Sequence, residues 1–127
     1  MKETIAAGVS IALVLAAGTV AAQSGNEARG ERVFNQQCKI CHAVEKADAS
    51  AVGPNLAGLF GRKAGTAPGF EASDAMKASG IVWDDKTLAD YLKDPQARLL
   101  GTTMVFNGLK QAAQLADVIA YLRKATQ

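Results

Sequence analysis

Two thiols and an imidazole fall within five consecutive positions of this chain. Cys38, Cys41 and His42 form a Cys-x-x-Cys-His pattern, which is the attachment signature of a c-type haem. In helical or turn geometry the two thiols project to one side, so each sulfur can add across one haem vinyl group while the adjacent imidazole reaches the iron. The pattern therefore predicts one covalent haem c per chain, with His42 as an iron ligand.

Two other kinds of site use the same pair of thiols. A structural zinc site needs four Cys or His ligands, whereas this chain has two cysteines and one histidine. A dithiol redox centre of the thioredoxin type belongs in a βαβ pattern, and the sequence shows no such pattern. Haem attachment is favoured over both.

The second axial ligand of the iron separates an electron carrier from an enzyme or a gas binder. His42 is the single histidine, so bis-histidine ligation within one chain is excluded. Apart from Met1, the methionine candidates are Met76 and Met104, with lysines as weaker ones, although a methionine more often fills a core. Context favours Met104, which lies in a glycine-bounded segment far enough along the chain to close over the opposite haem face.

Three amphipathic segments are predicted to be the helices that position these groups. The first follows a capping-box pattern with Ser24 as the cap and runs into Cys38. The second begins near Asp84 and ends before Pro95, and the third lies close to the C-terminus. The span 53–80 is rich in glycine and is interpreted as loops and short helices, so an all-α domain is expected. The residues at helical spacing are Gly30, Val33, Phe34, Leu88, Tyr91, Leu92, Leu115, Val118, Ile119 and Leu122.

The N-terminus has the composition of a secretory signal peptide. One lysine precedes an uncharged run of eighteen residues, 5–22, which ends in small side chains. We expect residues 1–22 to be a cleaved signal peptide and 23–127 to be one domain in the periplasm. The alternative is an uncleaved membrane anchor facing the periplasm, since eighteen uncharged residues are just long enough to span a bilayer.

The charge of the chain is nearly balanced. Lys2 and Glu3 cancel, so the expected domain keeps the formal net charge of +2 of the full sequence. Without a basic stripe or interleaved aromatic residues, nucleic acid is not a predicted partner. Nothing in the sequence suggests more than a monomer.

Motifs along the rest of the chain resemble class I cytochrome c in order and spacing. They are Cys38-Lys39-Ile40-Cys41-His42, the glycine-rich run 53–65 that begins Gly53-Pro54-Asn55, Ala67-Pro68-Gly69-Phe70, Trp83, Gly101-Thr102-Thr103-Met104-Val105-Phe106 and Ile119-Ala120-Tyr121-Leu122. The resemblance covers residues 27–126 and points to mitochondrial cytochrome c and to short bacterial cytochrome c2. It implies the single-haem cytochrome c fold, with three main helices, loops around the haem, and N- and C-terminal helices that cross at Gly30 and Phe34.

The resemblance also implies roles for single residues. It makes Met104 the distal iron ligand and Pro54 the carbonyl that accepts a hydrogen bond from the His42 ring. The other implied haem contacts are Tyr91 near the Met sulfur, and Arg62 and Trp83 beside a buried propionate. For Trp83 an ordinary core aromatic is an equal alternative.

For function, the resemblance implies a soluble periplasmic one-electron carrier and not an enzyme. A neutral thioether opposite imidazole raises the reduction potential of haem, and two filled axial positions leave no site for a substrate. The implied donor is a membrane cytochrome bc complex, and the implied acceptor is a cytochrome oxidase, a photosynthetic reaction centre or another reductase, each docked transiently. The alternative is a haem peroxidase or small-ligand sensor with an open or labile distal site.

The chain departs from the family pattern in three places. Ala72 and Met76 stand where the mitochondrial protein has a tyrosine and an asparagine, so a smaller polar network near the propionates is expected. Leu100 replaces a proline before Gly101, which is expected to loosen the Met104 loop. Uncharged residues occupy positions at which lysine is common, which predicts weak electrostatic steering towards partners. These positions are Gln37, Ala49, Ala51, Gln96, Ala97, Thr103 and Gln111.

Overall fold

The computed structural model describes residues 24–50 and 52–127, and the predicted leader 1–22 and Ala51 lie outside the described residues. Five helices follow one another in these ranges: α1 Glu27–Gln37, α2 Asp74–Ala78, α3 Asp85–Lys93, α4 Pro95–Arg98 and α5 Ala112–Ala125. No strand forms in the described part, where the single β-bridge joins Lys63 and Val82. The all-α prediction is confirmed, with α1, α3 and α5 as its three main helices.

Capping side chains set the limits of α3 and α4. Asp84 caps α3 by accepting a hydrogen bond from the Thr87 amide at 2.7 Å, and the Thr87 hydroxyl accepts one from the Asp84 amide at 2.9 Å. The helix ends at Lys93, before Pro95, as predicted. Pro95 then opens α4, because proline lacks an amide hydrogen but fits the first turn of a helix, and Asp94 caps that turn.

The predicted cap of α1 at Ser24 is wrong. The helix begins at Glu27 and is capped by Asn26, whose side-chain oxygen accepts a hydrogen bond from the Arg29 amide at 2.9 Å. Serine and asparagine cap helices about equally well, so a tertiary contact decides between them. The Asn26 amide donates to the Asp117 carboxylate on α5 at 2.6 Å, and this contact fixes where the helix starts.

The terminal helices α1 and α5 cross in close contact. Gly30 is buried at the crossing, where a Cβ atom would overlap the backbone carbonyl of Asp117. One turn further along α1, the Phe34 ring packs on the Tyr121 ring with centroids 5.4 Å apart. Val118, between these contacts on α5, is completely buried. This crossing fixes the end of α1, and with it the Cys-x-x-Cys-His segment, against the core.

A buried carboxylate reinforces the start of the crossing. Asp117 is 5% exposed and accepts three hydrogen bonds, one from the Asn26 amide and two from the Arg29 guanidinium, whose Nε lies 2.7 Å from Oδ2. The guanidinium and the Asn26 amide hold the pKa of Asp117 below its usual range. The N-terminus of α1 is thereby tied to the middle of α5.

The rest of the core packs α3 against α5 and the loops. Leu88, Tyr91 and Leu92 are the buried residues of α3, which agrees with the predicted apolar face. Within the described ranges, no helix is long and apolar enough to cross a membrane.

Candidate haem site

One cavity of about 270 Å³ is lined by residues drawn from the whole length of the domain. Its walls are mainly apolar and aromatic, with side chains from the end of α1, from the loops and from α3 and α5. Every residue that the sequence assigned to the haem site lines it: Cys38, Cys41, His42, Pro54, Arg62, Trp83, Tyr91 and Met104. The second methionine candidate, Met76 on α2, lines the same cavity.

The two cysteines lie in a tight turn at the end of α1. The Cys41 and His42 amides both donate to the Cys38 carbonyl at 3.0 Å, which places both thiols and the imidazole on one wall. Both cysteines are partly buried and free of a disulfide. Burial, together with the neighbouring Cys41, raises the pKa of Cys38 to about 11.

This environment argues against the two alternative uses of the thiols. Reactive cysteines of dithiol redox centres have a lowered pKa, whereas the pKa of Cys38 is raised. A zinc site needs further ligands, and among residues 24–50 and 52–127 no three His, Cys, Asp or Glu side chains are grouped to hold a metal. Haem attachment, which the Cys-x-x-Cys-His pattern predicts, is the use of the pair that is left.

The loop after the motif orients the imidazole of His42. Its Nδ1 lies 2.8 Å from the Pro54 carbonyl oxygen, the contact that the resemblance implies. With Nδ1–H donating, Nε2 is free to bind a metal. Gly53 lets the loop lie against the ring, because a Cβ atom there would come within 2.5 Å of Cε1. Burial lowers the pKa of His42 and the Pro54 hydrogen bond partly opposes this, so the neutral form that ligates metals is favoured.

Arg62 places a positive charge in the cavity wall. Its guanidinium donates to the carbonyl oxygens of Ala57 at 2.9 Å and Asn55 at 3.2 Å, and burial lowers its pKa. It forms no salt bridge with any carboxylate that the structure describes. A partly buried guanidinium held by two carbonyl oxygens suits an anionic group such as a carboxylate.

Two aromatic side chains also line the cavity. Trp83 and Tyr91 pack with ring centroids 5.3 Å apart and are 7% and 4% exposed. Trp83 therefore lies in the core and also lines the cavity, so the two interpretations of this residue are compatible. The Tyr91 hydroxyl lies 2.7 Å from Thr102 Oγ1. Burial raises the pKa of Tyr91, partly offset by that hydrogen bond, so the side chain stays a neutral phenol at neutral pH.

Met104 reaches the cavity on a loop without regular structure. The loop turns at Gly101, which has a φ of +90°, a value that glycine adopts without strain. The Met104 amide makes a long contact of 3.4 Å with Thr102 Oγ1, and the Gln96 amide group donates to the Met104 carbonyl at 2.8 Å. The half-buried Met104 side chain packs against the core.

Sequence reasoning missed three residues that support these side chains. Thr102 and Gln96 contact the Met104 segment and Gly53 lies against the imidazole. The position of Gly53 directly before Pro54 was a usable signal. The other two contacts depend on the path of the loop, which no periodicity in the sequence encodes.

The donor set fits haem c. Two thiols within one turn, an imidazole with a fixed tautomer, a thioether, a partly buried guanidinium and apolar walls meet in one cavity. These are the groups that covalent attachment, axial ligation and a buried propionate require.

Comparisons with known proteins agree with this geometry. The family model described as cytochrome c matches residues 27–126. Cytochrome c2 of Rhodomicrobium vannielii is 50% identical over 127 residues, covering 100% of this chain and 98% of its own, and cytochrome c2 of Blastochloris viridis is 44% identical over 111 residues, covering 87% of each. Cytochrome c of Chlamydomonas reinhardtii is 48% identical over 105 residues, covering 83% of this chain and 94% of its own. The chain therefore belongs to the cytochrome c family, whose covalent haem c is bound through the Cys-x-x-Cys-His motif that contains Cys38 and Cys41.

Proposed function

We propose that the protein is a soluble one-electron carrier of the periplasm and not an enzyme, with His42 and Met104 as the axial ligands of its haem c. The observation that carries the proposal is the meeting of an imidazole oriented by Pro54 and a loop-borne thioether in one apolar cavity. The haem supplies a centre that gains and loses one electron, and a thioether opposite an imidazole favours its reduced state.

The chain's own residues would tune this centre in three ways. The hydrogen bond to Pro54 fixes the His42 tautomer and ring orientation. The apolar walls keep water away and disfavour the extra positive charge of the oxidised state. The Arg62 guanidinium would offset the charge of a propionate. The Trp83 backbone is held next to Arg62, because the Trp83 amide donates a hydrogen bond to the Arg62 carbonyl at 3.0 Å.

The mouth of the cavity suits short-lived docking. Ile40 and Val105 line the cavity and are 82% and 98% exposed. One exposed cation is partly neutralised, since Lys110 Nζ lies 3.3 Å from Asp94 Oδ2. An exposed apolar rim favours weak steering and fast release. We propose a membrane cytochrome bc complex as the donor and a cytochrome oxidase, reaction centre or other reductase as the acceptor.

The proposal includes export of a domain that begins at residue 23, after a cleaved signal peptide. The match to the Rhodomicrobium vannielii protein extends over all 127 residues, which supports a related N-terminal segment in that relative. Mass spectrometry of the protein, recovered separately from the periplasmic and membrane fractions, checks this. A mass that includes residues 1–22, together with recovery in the membrane fraction, would favour the anchored alternative.

Optical spectroscopy tests the axial ligands. We expect the ferric protein to show the weak charge-transfer band near the red edge that the family resemblance attributes to a Met sulfur–iron bond. The Met104→Ala variant should lose the band, and the matched Met76→Leu variant, which alters the other thioether lining the cavity, should keep it.

Two results would overturn the assignment. Loss of the band only in Met76→Leu would make that residue the ligand. A parent protein that lacks the band and binds carbon monoxide readily when reduced would have an open distal site, and the peroxidase or sensor alternative would replace the carrier.

A further inference from the structure

A side chain outside the cavity holds the backbone of Met104. Gln96 lies in α4 and, across eight positions, its Nε2 donates to the Met104 carbonyl oxygen at 2.8 Å. Gln96 was singled out in the sequence only because lysine is common there in the family. In the fold it connects the short helix after Pro95 to the centre of the loop.

Few other hydrogen bonds reach the Met104 peptide. The Met104 amide has only the long 3.4 Å contact with Thr102 Oγ1 among its described hydrogen bonds. Leu100 and Val105 are 86% and 98% exposed, so these two apolar side chains do not anchor the segment, which is held in the core by Thr102 and Phe106. The Gln96 hydrogen bond is the shorter of the two that reach Met104.

We infer that Gln96 is a positioning residue for Met104, whose amide N–H holds the Met104 carbonyl so that the thioether stays in place against competing ligands. The inference rests on the proposed function, in which Met104 binds the iron. Gln96 acts through the peptide of Met104 and touches neither the cavity nor the cofactor, since it is not among the lining residues.

Substitutions at position 96 separate the hydrogen bond from other effects. Gln96→Ala removes the contact, Gln96→Glu keeps the length but has no N–H at neutral pH, and Gln96→Arg keeps an N–H donor. Gln111→Ala is the matched control, because Gln111 is exposed and its side chain makes no capping hydrogen bond to α5.

The first readout is the affinity of the ferric holoprotein for added imidazole, which must displace Met104 to bind. Loss of one hydrogen bond predicts about threefold to tenfold tighter imidazole binding in Gln96→Ala and Gln96→Glu. The Gln96→Arg and Gln111→Ala variants should bind imidazole like the parent. The second readout is amide hydrogen exchange at Met104, whose amide has a described hydrogen bond to Thr102 Oγ1; exchange should be faster in Gln96→Ala and Gln96→Glu and unchanged in Gln96→Arg and Gln111→Ala.

The outcomes are distinct. Unchanged imidazole affinity and amide exchange in Gln96→Ala, with the charge-transfer band present in the parent, would overturn this inference and leave the proposed function intact. The same tightening in Gln96→Arg as in Gln96→Ala would also overturn it, since the donor would then be irrelevant. A parent without the band would overturn both, because Met104 would not be a ligand.

Discussion

Replacing Asp117 should weaken the crossing of the terminal helices by an amount that the structure allows us to estimate. In Asp117→Ala the Asn26 amide loses its acceptor in a place where only 5% of the Asp117 surface meets water. A hydrogen bond to a charged group contributes about 1.5–3 kcal/mol. The Arg29 side chain is 56% exposed and can be rehydrated, so loss of its ion pair with Asp117 adds little to the destabilisation. We therefore expect the free energy of unfolding to fall by about 2 kcal/mol.

The Asp117→Asn variant separates the contribution of the hydrogen bond from that of the negative charge of Asp117. Its amide oxygen can still accept from the Asn26 amide, but that hydrogen bond is now to a neutral acceptor and is therefore weaker, and the Arg29 guanidinium loses its partner charge. We expect it to lose about 1 kcal/mol, between the parent and Asp117→Ala. Asp85→Ala is the control, since it removes an Arg123 ion pair in which both side chains are more than half exposed and should cost less than about 1 kcal/mol.

Guanidinium unfolding of the holoproteins, followed by Trp83 fluorescence, measures these differences. The pH dependence gives a second check. Because the folded-state pKa of Asp117 is lowered by the guanidinium and the Asn26 amide, its contribution is fully present above the unfolded-state pKa of about 4 and is lost as pH falls through the folded-state pKa. Below about pH 4 the parent should lose stability more steeply than Asp117→Asn.

Three results would refute the reasoning. A loss below about 0.5 kcal/mol in Asp117→Ala would show that the Asn26 amide finds water at no cost. An Asp117→Asn variant as unstable as Asp117→Ala would assign the effect to charge alone. Equal acid sensitivity of the parent and Asp117→Asn would show that ionisation of Asp117 does not contribute to the stability of the folded state.

Three further predictions concern the crossing, the cavity and the docking surface. Gly30→Ala should destabilise the fold by more than about 2 kcal/mol in denaturant unfolding, because its Cβ would overlap the Asp117 carbonyl; a neutral result would show that the helices separate freely. Tyr91→Phe should cost about 1 kcal/mol in the same assay through loss of the 2.7 Å contact with Thr102, and an unchanged stability would mean that water replaces the hydroxyl. The rate of electron transfer to an acidic partner should vary little with ionic strength, and a steep fall with salt, measured by stopped flow, would contradict the weak-steering prediction.

Local patterns predicted the parts of the fold whose cause is local. The spacing of Cys38, Cys41 and His42 is itself the chemical requirement, and the apolar stripes of α3 and α5 are set by helix periodicity. The prediction of where α1 starts failed because both Ser24 and Asn26 are good caps. The hydrogen bond from Asn26 to Asp117, 91 residues further along the chain, selects between them.

The supporting contacts around Met104 were beyond sequence reasoning for a similar reason. A threonine and a glutamine in or near a loop have many possible partners, and only the path of the chain brings Thr102 and Gln96 to the Met104 peptide. The family resemblance supplied the pairing of His42 with Pro54, which no periodicity implies.

The crossing of α1 and α5 has a consequence for the order in which the molecule opens. Chain termini are usually the first parts of a domain to fray, but here α1 and α5, the first and last helices of the described residues, pack around Gly30 and the fully buried Val118. The loop around the exposed Val105 buries less apolar surface, so opening it costs less free energy. The molecule should therefore open first at Met104, while the helix leading to Cys38 and Cys41 stays docked, so Met104, the proposed distal ligand, can move away and return without the domain unfolding.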